Sequence, residues 1–307
     1  MRMAVPSSPP LVTVICATFN SSSLLKLALG SLLDQDLTDF EAWVVGDACT
    51  DDSADVVASF QDSRLRWTNL PHNSGSQAAP NNEGLRRSRG RYVAYLGHDD
   101  LWFPWHLSGL VRFIEETRAD FAHSLSAVIG PNGVDLTLGP PLIGRTYGNS
   151  YVPPSSWLHR REIVEECGWW ADHLKIGDNV DNDYLRRVYQ AGKRIELCRQ
   201  LSVVKFPSAW WKSYSSGGDH PQESYLASMR KDPEATQRRI LLESVTVWTR
   251  HLGVGVPARQ ALGQALRVLA HRVIDAYGRE RWPLADLLRR RHQRQRLRRR
   301  AQRGLAS

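Results

Sequence analysis

The sequence predicts an α/β fold built on a mostly parallel sheet flanked by helices. Three observations carry that prediction. Leu11-Val12-Thr13-Val14-Ile15-Cys16-Ala17 is an unbroken apolar, β-branched run, the pattern of a strand covered on both faces. Leu24, Leu25, Leu27, Ala28, Leu32 and Leu33 then recur at helical spacing, and the strand-then-helix order repeats downstream. A further run from Arg91 through Leu96 stops abruptly at two adjacent carboxylates, Asp99 and Asp100.

The first strand ends at Thr18-Phe19-Asn20, and Ser21 to Ser23 offer capping hydroxyls for a helix reaching about Gln35. Ala42 to Val45 is a second strand. It leads through Gly46-Asp47-Ala48-Cys49-Thr50-Asp51-Asp52, a turn with capping residues, into a helix bearing Val56, Val57 and Phe60. Arg64 to Leu70 reads as a third strand, Asn73-Ser74-Gly75 as a loop, Gln77 to Ser88 as a helix, and Tyr92 to Leu96 as a strand. Pro104 opens a helix running to about Arg118, and Phe121 to Ile129 is a strand followed by a Pro131-Asn132-Gly133 turn. The Gly- and Pro-rich stretch from Gly139 to Pro154 suits a loop over a site. Arg161 to Cys167 and Asp183 to Ala191 read as helices stopped by Gly168 and Gly192, with short strands at Ile195 to Cys198 and Ser202 to Phe206. From Pro233 the pattern becomes helical: Ile240, Leu241, Val245 and Trp248 mark one amphipathic helix. A second starts at Pro257 with Leu262, Leu266, Leu269 and Ile274, and a third at Pro283. The expected organisation is an extension (1–10), an α/β domain (11–232, its halves meeting near 100), a helical region (233–288) and an Arg-rich tail (289–307).

Composition narrows the class. The chain has 307 residues and a net charge of +8, but residues 289–307 hold nine Arg and no acid, so the remainder sits near −1. The main body therefore lacks a nucleic-acid-binding charge, and the tail has no interleaved aromatics. No apolar run is long enough to span a bilayer, and MRMAVPSSPP lacks the apolar core of a secretory signal. Cys16, Cys49, Cys167 and Cys198 are scattered, as reduced thiols are. A cytoplasmic location is expected. The tail suits attraction to anionic phospholipid on the inner face of a membrane, at up to ~1 kcal/mol per basic residue.

Open α/β sheets bind ligands beyond the carboxyl ends of their strands, where Asp99 and Asp100 are expected. Carboxylates there suit a hard divalent cation. The sequence contains neither G-x-G-x-x-G nor G-x-x-x-x-G-K-[ST], which argues against a dehydrogenase or a P-loop kinase.

The ordered motifs Thr18-Phe19-Asn20, Gly46-Asp47-Ala48-Cys49-Thr50-Asp51, Asn73-x-Gly75, Asn82-x-Gly84-Leu85 and Gly97-His98-Asp99-Asp100 resemble those of the family 2 glycosyltransferases of the GT-A fold. The resemblance runs from about Leu11 to Phe206. It implies a nucleoside diphosphate sugar donor (UDP-, dTDP- or GDP-linked) and a divalent cation, Mn²⁺ or Mg²⁺. Thr18 and Asp47 match residues that hold the base and ribose. Asn20, Asn73, Asn82 and His98 join them as donor-site candidates. Asp99 matches the metal-binding Asp and Asp100 the acid after it. Asp181 matches the general base, with Val180 where the family has Glu. The chain departs from the pattern at Gly46, Asn81 and Gly97 as well, where the family carries Asp, Arg and Asp.

The implied chemistry is a single displacement with inversion. A cation neutralises the departing diphosphate while a carboxylate takes the proton of an acceptor hydroxyl on a glycan, lipid-linked glycan or small natural product. Asp100, Trp169, Trp170 and Lys212 are acceptor-side candidates. Asp178 is a reserve base, and Asp183 is expected to cap its helix. Rival readings are a nucleotidyltransferase, disfavoured by the lack of a basic Gly-rich loop after the first strand, and a catalytically impaired transferase-like binding module.

Overall fold

The computed structural model describes residues 8–139, 146–211 and 220–251. Its core begins with β1 (Val12–Thr18), whose side chains are nearly all buried. β1 pairs in parallel with β2 (Phe40–Gly46) on one side and β4 (Tyr92–Tyr95) on the other; β3 (Leu65–Asn69) adds to β2. The chain thus leaves β1 in one direction and returns on the other. That topology opens a crevice beyond the carboxyl ends of β1 and β4. Helix α1 (Ser22–Leu33) lays Leu25, Leu29 and Leu32 on the face of β1 that carries Val12, Val14 and Cys16. Helix α2 (Ser53–Ser59) joins β2 to β3. On the opposite face α3 (Ala78–Arg87) sets Leu85 against Ile15 and Val93. Gly84 makes this close approach possible, since a Cβ there would lie 2.5 Å from the Ile15 side chain.

The serines expected to cap α1 do not do so. Ser21 Oγ donates back to the Phe19 carbonyl. The Ser22 N–H instead donates to the Asp51 carboxylate (3.0 Å), whose other oxygen accepts the Ser53 N–H (3.3 Å). One carboxylate from the neighbouring loop thereby serves two turns.

Beyond β4 the sheet changes character. It continues β4-β8-β6-β9-β5 with β8 (Trp157–Arg160), β6 (Phe121–Gly130), β9 (Ile195–Lys205) and β5 (Leu101–Trp102). β6 and β9 are parallel, whereas β8 runs antiparallel to both its neighbours and β5 antiparallel to β9. β7 (Gly133–Leu138) folds back on β6 through the expected Pro131-Asn132 turn. The parallel expectation therefore describes the first half, and the second half is mixed.

Several elements differ from the sequence reading. Helix α4 (His106–Thr117) starts after Pro104 because Leu101 and Trp102 are drawn into pairing with Val203 and Val204. β9 is continuous, its two expected strands joined across a register shift against Ser124–Ser126 of β6. α5 (Ile163–Cys167) ends at Gly168, as expected. α6 (Val180–Gln190) begins three residues early, because Val180 is buried in the aromatic layer of Trp157, Trp170 and Tyr184. α7 (Ser208–Trp211) and α8 (Gln222–Lys231) follow β9, and α9 is Pro233–His251.

Contacts divide the chain into units 1–241 and 242–307, where the sequence reading placed the change at 232/233. Ile240 closes the core of the first unit with Leu226 and Met229. The second is described only through His251. The helices expected from Pro257 and Pro283, and the Arg-rich tail, lie outside the described residues. Among the described residues no helix is long and apolar enough to cross a membrane.

Candidate active site

The loops at the carboxyl ends of β1 to β3 are tied together by main-chain hydrogen bonds. Thr18 closes β1, and its carbonyl accepts the Asp47 N–H (2.8 Å). Thr18 Oγ1 itself is buried with no protein partner. The Asp47 carboxylate accepts the N–H groups of Ser74 (2.9 Å) and Gly75 (3.2 Å), while Asn73 Nδ2 donates to the Asp47 carbonyl (3.1 Å). Burial pushes the Asp47 carboxyl above the usual range, against the pull of these donors. Asn20 sits at φ 42°, and its Oδ1 accepts the Thr50 N–H (2.8 Å). Thr18, Asn20, Asp47 and Asn73 are thus gathered at one sheet edge.

Gly46 has a structural reason. A Cβ at that position would lie 2.4 Å from Asn69 Oδ1 and 2.8 Å from the Trp67 ring. Asn69 uses both ends of its amide on the Cys49 peptide, at 2.9 Å each. The space of the family's Asp is therefore filled by two residues of β3.

At the end of β4 the two acids separate in role. Asp99 is half-buried at the tip, and its carbonyl accepts from Gln222 Nε2 (3.2 Å). His98 is buried with Nδ1 on the Ala17 carbonyl (3.2 Å). Asp100 is 0% exposed. Its Oδ2 accepts Ser155 Oγ–H (2.5 Å) and Lys205 Nζ–H (2.9 Å), and its Oδ1 accepts the Phe206 N–H (3.2 Å). The expectation that Asp100 faces an acceptor is corrected: its carboxylate is enclosed and fully engaged. It joins the end of β4, the Pro154–Ser156 turn and the end of β9. Gly97 keeps this knot closed, since a Cβ there would meet Asp100 Oδ2 at 2.8 Å.

Asp181 lies in the first turn of α6 and is 8% exposed. Burial raises its carboxyl above the ordinary range, opposed by nearby backbone N–H groups and by Lys205. Asp178 differs. Burial raises it too, but the Asn179 N–H, Arg186 and Asn182 outweigh that and hold it below the usual value, which makes it a poor base. Asp183 does not cap the helix. It lies inside it, paired with Arg186 (3.0 Å) and Arg187 (2.9 Å), because Asn179 occupies the capping position.

Tyr151 feels the field of Asp181, Asp100 and Asp99. The residue is exposed overall, but burial of the hydroxyl drives it up to about 12, eased by Lys205 and reinforced by Asp181, Asp100 and Asp99. Asp99, at the tip of β4, and Asp181, from α6, therefore both act electrostatically on one phenol. Lys205, at the end of β9, is coupled to the same groups. Burial pulls its ammonium down, and Asp100, Tyr151 and Asp99 outweigh that pull and raise it.

The aromatic candidates also separate. Trp170 is corrected to a core residue: it is 3% exposed, stacks on Tyr184 (4.9 Å) and Trp157 (5.6 Å), and donates Nε1–H to Tyr95 (3.2 Å). Trp169 is exposed, under the Arg86 guanidinium (5.4 Å). Asn82 spends both ends of its amide on the Trp170 backbone, at 2.9 and 3.0 Å, so it braces the segment leading to α6. Lys212 lies outside the described residues. Sequence reasoning passed over Lys205, Tyr151 and Ser155. A lysine ending the apolar run Leu201-Ser202-Val203-Val204 was the available signal.

Among the described residues no three His, Cys, Asp or Glu gather as a cage for a metal. Asp99 is half-buried at the tip of β4, whereas Asp100 is enclosed. One accessible carboxylate would suit a hard divalent cation such as Mg²⁺, which needs few protein ligands when phosphate oxygens are also at hand.

Comparison with known proteins agrees with the fold. The chain aligns at 32% identity over 129 residues with the putative teichuronic acid biosynthesis glycosyltransferase TuaG of Bacillus subtilis, covering 41% of this chain and 51% of that one. It aligns at 32% over 223 residues with the poly(ribitol-phosphate) β-N-acetylglucosaminyltransferase TarS of Staphylococcus aureus, covering 70% of this chain and 37% of that one. The chain thus spans about half or less of the length of these relatives. The crystal structure of S. aureus TarS residues 1–349 with UDP-GlcNAc superposes with a TM-score of 0.55 at 22% identity, covering 79% of this chain and 72% of that one. The mannosyltransferase PcManGT of Pyrobaculum calidifontis, solved with GDP-Man and Mn²⁺, gives 0.53 at 20%, covering 92% and 79%. These likenesses establish the GT-A fold. The model of glycosyl transferase family 2 matches residues 13–166, about half of the sequence, so the chain belongs to family 2 of the glycosyltransferases.

Proposed function

We propose that this protein moves a sugar from a nucleoside diphosphate sugar to an acceptor hydroxyl, with inversion at the anomeric carbon and with help from a divalent cation. The observation that supports the reading is the gathering of Thr18, Asp47 and Asn73 at the carboxyl ends of the parallel strands, with the half-buried Asp99 at the tip of β4 and Asp181 near enough to bear on the same tyrosine hydroxyl. Thr18, Asn20, Asp47 and Asn73 line the donor side, where the unpartnered Thr18 hydroxyl is free for a ligand atom. Asp99 would hold the cation, which supplies charge to neutralise the departing diphosphate. Asp181 removes the acceptor proton, and its raised carboxyl is better matched to that task than an ordinary aspartate. Two of the relatives named above are a putative teichuronic acid biosynthesis glycosyltransferase and a poly(ribitol-phosphate) β-N-acetylglucosaminyltransferase, which favours a polymeric or lipid-linked glycan as acceptor. A role near the inner face of a membrane, through the Arg-rich tail, belongs to the same proposal.

Ligands that bind only the native state raise its melting point. A thermal-shift panel of UDP, dTDP and GDP sugars, with and without Mn²⁺, is expected to single out one nucleotide. The part of its shift that depends on Mn²⁺ is expected to vanish in Asp99→Asn. A shift equal in the presence and absence of Mn²⁺, and in both proteins, would remove the metal assignment.

A further inference from the structure

The segment linking α5 to α6 is held from two sides. On one side Asn82 of α3 spends its whole amide on the main chain of Trp170: Nδ2–H donates to the carbonyl (2.9 Å) and Oδ1 accepts the N–H (3.0 Å). Two bonds from one planar amide fix that stretch of main chain in orientation as well as distance. On the other side Arg187 of α6 donates to the Trp169 carbonyl (2.8 Å) and to the Cys167 carbonyl. The Trp170 indole is fixed in turn. Its Nε1–H donates to the Tyr95 hydroxyl of β4 (3.2 Å), and its ring stacks on Tyr184 of α6 with the planes 13° apart. Tyr184 follows Asp181 by three residues, so the two are neighbours on one face of the helix, and both are buried. At its other end α3 begins three residues after Gly75, whose N–H donates to Asp47.

We propose that Asn82 is a positioning residue for the base: through Trp170 and Tyr184 it sets the placement of the first turn of α6, and with it the direction in which Asp181 points. This rests on the transferase reading above. The same helix that follows the donor-side loop thereby aligns the acid that works on the acceptor, and in this role Asn82 acts through Asp181 rather than on the donor. A base displaced by about 1 Å loses on the order of 100-fold in rate, so a brace of this kind has a measurable effect.

Release of UDP from UDP-GlcNAc and of GDP from GDP-mannose, with Mn²⁺ and with water as acceptor, tests this on the full chain. In that reaction the base takes a proton from water, the bond between the anomeric carbon and the diphosphate oxygen breaks, and free sugar leaves with the nucleoside diphosphate. The proteins are wild type, Asn82→Ala, Asn82→Asp, Asp181→Asn and the double variant Asn82→Ala/Asp181→Asn. Asn82→Asp has the shape of the natural residue, keeps an acceptor for the Trp170 N–H and loses the donor to its carbonyl, so it carries the same comparisons if Asn82→Ala fails to fold. Asn82→Ala is expected to lower kcat about 10- to 100-fold, with the KM of the sugar nucleotide and the calorimetric affinity for UDP or GDP unchanged. The double variant is expected to be no slower than Asp181→Asn, because the brace has nothing left to aim. Amide hydrogen exchange is expected to quicken about tenfold in residues 171–184 of Asn82→Ala and to stay constant in β1. A further loss of the same size in the double variant would make Asn82 merely structural, and a fall in nucleotide affinity matching that in kcat would make it a donor ligand; either overturns the proposal, as would unchanged kcat or unchanged exchange in 171–184. Wild type that binds neither UDP nor GDP, or that releases neither, would sink the transferase reading, and this inference with it.

Discussion

The two halves of the molecule use carboxylates differently. On the donor side Asp47 and Asp51 are spent on main-chain N–H groups, of Ser74 and Gly75 and of Ser22 and Ser53. Those bonds shape the loops. Across the cleft Asp100 is spent on an ammonium, a hydroxyl and one N–H, and Asp181 is buried close to the same lysine. The first arrangement spreads its hold over many weak main-chain bonds. The second concentrates it in a few charges at low dielectric, where losing one partner is costly. Single substitutions should therefore act more strongly on the acceptor side.

The largest effect is expected from Asp181→Asn, which should cut turnover by about 10²- to 10⁴-fold. Its stability should not fall. Burial raises the native carboxyl above its unfolded value, so the native state holds the proton more tightly. That contribution is present below the unfolded pKa and is lost as pH rises through the native one. At neutral pH the ionised group therefore strains the fold, and an amide relieves it. Initial rates paired with melting curves at acid and neutral pH check both halves; a lower melting point at neutral pH would count against a functional acid. Next, Asp100→Ala strands Lys205 without its partner and should cost about 3–5 kcal/mol in denaturant unfolding. A cost under about 1 kcal/mol would erase the contrast between the halves. The smallest effect belongs to the donor side: Gly46→Ala meets Asn69 and Trp67 and should cost about 1–3 kcal/mol. Combined with Asn69→Ala it should cost less than the two changes taken separately, because the nearer of the two clash partners is gone.

The donor half was legible in the sequence because its signals are local. β1, β2 and β4 are apolar runs, and α1 and α3 follow at helical spacing. The acceptor half was read less well. β8 (Trp157–Arg160) ends in His and Arg and shows no alternation, yet it is buried between β4 and β6. β7 and α8 were passed over, being half-buried elements without strong periodicity. Asp183 resembles a capping residue by type, but the burial of Val180 started the helix earlier and turned Asp183 to Arg186 and Arg187.

Residue order alone determined the parallel half-sheet and the place of the strand-end loops, because each depends on side-chain pattern within a dozen neighbours. Tertiary structure alone decided which acid is open and which is enclosed. Asp99 and Asp100 are adjacent and chemically identical, and their difference comes from Lys205, 105 residues further on, and from Ser155. The same holds for Trp169 and Trp170, one in solvent and one in the core. Neighbouring side chains point in different directions, and only the packing of distant elements decides which direction is water.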